Sequence, residues 1–178
     1  KEILIGLFIG LTVRMVLMAT SVAGSTIANQ MGLGLAQAVD PTQGIQGALF
    51  ANFLGVLALT LVFVNDLHHL VIAAIHDSYI LFEPGTIPPT NEMAMAAVMS
   101  MAEAFTLGVR MSAPFLVFGL IFYVGIGVLS RLMPQVQIFF IAMPASILLG
   151  LVLLALLLTT MMTVYHEYLS GLLGRFLA

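Results

Sequence analysis

Gln30-Met31-Gly32-Leu33-Gly34-Leu35-Ala36-Gln37-Ala38-Val39-Asp40-Pro41 separates two long hydrophobic segments with two glycines, two amides, an acid and a proline. In lipid, only helices and closed barrels satisfy every backbone N–H and C=O group. Backbone that leaves a helix at membrane depth must be buried in protein or line a water-filled path. The stretch therefore predicts an all-α membrane fold, with helices on both sides of a sheltered break.

Composition supports that class. The chain of 178 residues is 61% hydrophobic and 7% charged, with a mean hydropathy of +1.16. Soluble domains carry about 25% charged residues, so a water-exposed fold of this size would leave apolar surface uncovered. A net charge of −3 without a basic cluster gives no footing for nucleic acid. With no cysteine, disulfides, thiolate metal sites and thiol nucleophiles are excluded. Glu2 and the hydrophobic pattern that continues past it argue against a secretory signal peptide. One domain is expected over residues 1–178.

Charges punctuate the chain. Residues 15–39, 41–65, 111–130 and 132–166 carry no Asp, Glu, Lys or Arg, and each block passes the length test for a spanning helix. Block 15–39 is the most polar of them. Thr20, Gly24, Ala28, Gly32 and Ala36 recur at every fourth position, a small-residue stripe that lets another backbone approach. Ser21, Ser25 and Asn29 form an adjacent polar row able to hydrogen-bond across a helix interface. Gly24, Ala28, Ser25 and Asn29 are thus the expected subunit-packing residues.

Beyond Pro41, residues 48–64 read as a clean apolar helix that meets the polar band Asn65-Asp66-Leu67-His68-His69 and resumes through Phe82. Glu83 to Pro89 is a proline-rich loop, and Thr90 or Asn91 is expected to cap the next helix, with Glu92 in its first turn. That helix is expected to reach about Ser112, where Pro114 kinks it or opens the next segment. Residues 115–130 and the apolar run from Ile138 to Val164 flank the short connector Ser130 to Gln135, which predicts an antiparallel hairpin. Pro144 is expected to kink the second arm by the same rule.

Candidate chemistry is sparse. Asp66, His69, His76 and Asp77 share one helical face, but a metal site needs three or four converging ligands and one helix rarely offers them. The band is read as a polar break or interface, with no metal and no cofactor expected. Glu103 and Arg110 lie two turns apart, about 10 Å in rise, so each is expected to meet a neighbouring helix or a partner. Twelve methionines are read as adaptable core filler, with Met31, in the break, the candidate for a deformable seal. The serines lack a His–Asp pattern and no phosphate-binding glycine loop occurs, so no enzyme is expected.

The ordered set Ala23-Gly24, Gln30-Met31-Gly32-Leu33, Asp40-Pro41, Asp66-x-His68, Asp77-Ser78 and Arg131-x-x-Pro134-Gln135-x-x-x-Phe139 resembles the FliR family of flagellar biosynthetic proteins. That family is similar to the T subunits of virulence type III secretion gates. The likeness runs across essentially the whole chain, with departures at Leu67, where a small residue is usual, and Gln137, where Asn is usual. The family has a further N-terminal hydrophobic region with no counterpart before Lys1. The resemblance implies a non-enzymatic subunit of the export gate in the bacterial inner membrane, at the flagellar basal body. Its implied partners are FliP and FliQ homologues, FlhB and FlhA, with unfolded export substrates passing through a central pore and the lipid membrane around the assembly. It also implies a plug segment over residues 31–46. Asp66, His68, Glu103, Arg110, Arg131 and Gln135 are the expected polar interface positions. In this reading Met31, Gly32, Leu33, Gly34, Leu35, Val39, Asp40 and Pro41 gate the pore. The glycines permit movement and the apolar side chains close the path by dewetting. Deleting residues 32–40 is expected to leave the complex assembled but leaky. The rival reading is a small ion-coupled transporter with a broken helix at its site, using Asp66, His69 and Asp77; the lack of an internal repeat counts against it.

Overall fold

The computed structural model describes residues 2–33, 45–81, 90–133 and 138–174. These form five helices: α1 (Glu2–Gln30), α2 (Ile45–Val64), α3 (Leu67–Leu81), α4 (Thr90–Leu132) and α5 (Ile138–Gly174). No strand occurs among the described residues.

The small-residue stripe makes α1 the central element. Val16, Ala19, Ala23 and Ile27 are buried along it at helical spacing, as are Thr20 and Ala28. A Cβ added to Gly24 would lie 2.5 Å from the Ala51 Cα and N atoms, so α2 crosses α1 backbone to backbone at that point. A Cβ on Gly108 would lie 2.8 Å from the Ala19 carbonyl oxygen, which brings α4 equally close on another side. Without a hydrophobic drive between helices in lipid, such close backbone approach is what membrane helices use to associate. The α1–α4 and α1–α2 contacts are accordingly the most extensive in the fold.

Both helices that carry an internal proline run on through it. Helix α4 does not stop near Ser112 but continues through Pro114 for 43 residues. Proline returns no N–H to the carbonyl four residues back and crowds that turn, yet both flanks are held. Met111, Ser112 and Phe115 are buried, and Ser112 Oγ lies 3.1 Å from the carbonyl oxygens of both Gly108 and Val109. Helix α5 likewise runs as one element through Pro144 and beyond the apolar run that ends at Val164, to Gly174.

Among the described residues, three helices are long and apolar enough to cross a membrane: Ile5–Gln30, Asn91–Leu132 and Phe140–Leu172. The α2–α3 pair passes the same test together, bent by 74° at its break. Only 17% of the most apolar window in each of the two hairpin helices is buried, so most of their apolar surface requires cover from lipid or other protein.

Candidate functional site

The break begins as a helix C-cap. The Met31 N–H still donates to the Ile27 carbonyl at 3.0 Å, and the Gly32 N–H turns back to the Asn29 carbonyl at 3.0 Å. Gly32 has φ +83°, the left-handed conformation that closes many helices and that glycine adopts without Cβ cost.

The capped end is seated between the two arms of the hairpin. Met31 is fully buried and fills a notch over Gly150 of α5, where a Cβ would stand 2.5 Å from the Met31 Cγ. Gln30 occupies the matching space at Gly119 of α4, and its Oε1 would collide with any Cβ there. Ser146 Oγ lies 2.9 Å from the Met31 carbonyl oxygen and 2.8 Å from that of Met143, so one hydroxyl proton serves two acceptors. That contact links residues far apart in sequence and satisfies a carbonyl freed by the end of the helix. Beside it lies a cavity of about 30 Å³, walled by Gly32, Phe122, Tyr123, Ile126, Ala142, Met143 and Ser146. Met31 and Gly32 are therefore buried in this chain, and Leu33 is half-buried against the core. Gly34, Leu35, Val39, Asp40 and Pro41 lie outside the described residues, as does Ala36 of the stripe.

The four expected packing residues divide. Gly24 and Ala28 are spent on contacts within the chain, whereas Ser25 and Asn29 face outward. Ser21 shares their exposed face, and among the described residues Ser25 Oγ bonds to its own helix, at the Val22 carbonyl, 3.0 Å away.

A second polar feature lies between α4 and α5. Tyr168 Oη donates to Glu103 Oε2 at 3.0 Å, which gives Glu103 the neighbouring-helix partner its spacing suggests. Arg110 and Glu167 line the same cleft, of about 560 Å³. Arg131 is exposed in the last turn of α4, where a cation complements the helix dipole. Gln135 lies outside the described residues.

At the α2–α3 break the structure gathers Asp66, His68 and His69, with one ligand-type atom of each within 4.8 Å of the others. This is a different set from the helical face of Asp66, His69, His76 and Asp77. His76 and Asp77 pair with each other instead, at 3.1 Å. Sequence spacing points to the Asp66–His69 pair, three residues apart, but not to the addition of His68 or the loss of His76 and Asp77 from the group. Ser146 and Tyr168 are likewise beyond the reach of sequence reasoning. A serine or tyrosine within a long apolar run carries no signal of the distant atom it will meet.

Helices alone among the described residues, three of them long and apolar enough to cross a membrane, with a capped break seated in a hairpin, define an integral membrane protein with a sheltered helix end. The chain matches the family of bacterial export proteins, family 1, over residues 1–172, and it belongs to that family. It is 43% identical over 175 residues to the flagellar biosynthetic protein FliR of Caulobacter vibrioides, covering 98% of this chain and 70% of the relative. The proteins of the same name from Bacillus subtilis and Escherichia coli are 28% and 29% identical, over 96% and 88% of this chain and 67% and 60% of their own lengths.

Proposed function

We propose that the chain is a non-enzymatic subunit of the flagellar type III export gate, and that the segment following Leu33 helps close the pore to ions while unfolded substrates are not in transit. The observation that carries the plug reading is the seat of Met31. A segment that must move against a pore needs a fixed root, and the root at Gln30 to Gly32 is fixed by two glycine notches and the Ser146 hydroxyl. Met31 and Gly32 then act as the anchor, and the gating lip begins beyond Leu33. Leu35 and Val39 supply the apolar closure, which excludes water and ions by dewetting.

FliP and FliQ homologues, with FlhB and FlhA, are the partners this reading assigns, in the inner membrane at the basal body. Membership of an export family favours this reading over the ion-coupled transporter. The test is deletion of residues 34–40 in cells that carry the whole export apparatus. The expected outcome is a complex that assembles and stays in the membrane but admits small ions, read as a conductance in reconstituted bilayers. Assembly with unchanged ion permeability would remove the plug role.

A further inference from the structure

We propose that Asp66, His68 and His69 form a binding site for a zinc-class divalent cation that pins the bend between α2 and α3. The three side chains offer one carboxylate oxygen and two imidazole nitrogens, the donor set that suits zinc, with a fourth position open to water. Their ligand atoms already lie within 4.8 Å of one another, and Asp66 Oδ1 stands 3.7 Å from His69 Nδ1. Both of those side chains are more than two-thirds exposed, so nothing in this chain stops them closing the remaining distance by rotamer adjustment.

Two features of the break and one of His68 point the same way. Asp66 has φ 55°, the left-handed region that non-glycine residues occupy at a cost and that clusters at ligand clamps. The plain alternative is a helix N-cap for α3. Cap residues, however, hold extended-region backbone and turn their side chain to the following N–H groups, whereas the Asp66 carboxylate stands beside the His69 ring. Next, His68 Nδ1 is buried without a hydrogen-bond partner among the described residues, so that ring has unused polar capacity. Finally, the cluster sits on a 74° bend, where the Asp66 N–H donates to the Phe63 carbonyl and the His69 N–H to the Asp66 carbonyl. A cation held by one residue of the turn and two of the first helical turn ties the break to α3 and fixes the angle.

The experiment uses the full-length protein in mild detergent, stripped with a chelator and titrated with Zn²⁺ by calorimetry, with Co²⁺ absorption reporting the geometry. One Zn²⁺ per chain is expected. Asp66→Asn and His69→Ala should each weaken binding at least about tenfold, the scale on which even supporting groups of metal sites act. Asp66→Gly separates ligand loss from backbone disturbance, since glycine accepts φ 55° without strain. It should lose the ion and keep the fold by circular dichroism. His76→Ala, which removes a histidine outside the cluster, should bind as the parent does. Failure of the parent to bind, or equal weakening by His76→Ala and His69→Ala, overturns the site.

Discussion

Gly24, Gly119 and Gly150 each leave room for a neighbour, but the neighbours differ in how far they can yield. At Gly24 the intruding atoms are the α2 backbone at Phe50 and Ala51. At Gly150 they are the Cγ, Sδ and Cε of a fully buried Met31 side chain, and at Gly119 they are chiefly the amide end of Gln30. Overpacking typically costs about 1–3 kcal/mol and more when backbone must move. The alanine variants are therefore expected to lose stability in the order Gly24, Gly150, Gly119, with Gly119→Ala the mildest because Gln30 can swing away. Thermal unfolding in detergent measures the series, and a Gly119→Ala loss equal to that of Gly24→Ala would dismiss the backbone crossing. The role of Gly24 is legible in the sequence, since its stripe repeats every fourth residue. Those of Gly119 and Gly150 are not, because a lone glycine in an apolar run gives no periodic signal. Only the fold shows that they receive Gln30 and Met31.

The helices themselves are legible from hydrophobic length and loop composition, and their ends less so. Between the end of α3 at Leu81 and the start of α4 at Thr90 the sequence carries three prolines and a glycine, a composition that reads as a helix break. A single proline carries less authority. Pro114 has the local character of a boundary, yet the burial of Met111, Ser112 and Phe115 around it holds the helix together, and tertiary packing of this kind is invisible to local propensity. If that packing and not the proline sets the course of α4, Pro114→Ala should keep the fold. It restores the missing N–H to the Arg110 carbonyl and removes the ring clash, worth up to about 3 kcal/mol in a helix interior. Equal or higher thermal stability with unchanged helical content is expected. A marked loss of stability would mean that the proline is itself required for α4 to lie along α1. The α2–α3 break is the converse case. Its polar band is legible, but the left-handed Asp66 that turns the chain through it is not, since aspartate is compatible with several local conformations.

On the scale of the whole molecule, the hairpin is too long and too apolar to be covered by a bilayer alone. The 42-residue span of α4 measures roughly 63 Å at about 1.5 Å per residue, against a hydrocarbon core of about 30 Å. Much of α4 and α5 must therefore lie beyond the hydrocarbon or against protein. The exposed face of α1 argues for protein. Ser21, Ser25 and Asn29 occupy one side of a helix whose other sides are already filled by α2 and α4. Lipid offers these groups no hydrogen-bond partner, so a row of them facing outward is a cost unless another polar surface meets it. Within the proposed gate that surface belongs to a neighbouring subunit, with Gly24 and Ala28 setting the fold and Ser25 and Asn29 setting the assembly. Replacing Ser21, Ser25 and Asn29 together by leucine separates the two roles. None of the three side chains is buried in the chain, so the variant should insert and unfold like its parent. In co-purification with the FliP and FliQ homologues it should be lost or strongly reduced. An intact complex carrying all three leucines would show that the row faces water, as it would along the conduit, and the same variant should then slow export without disturbing assembly.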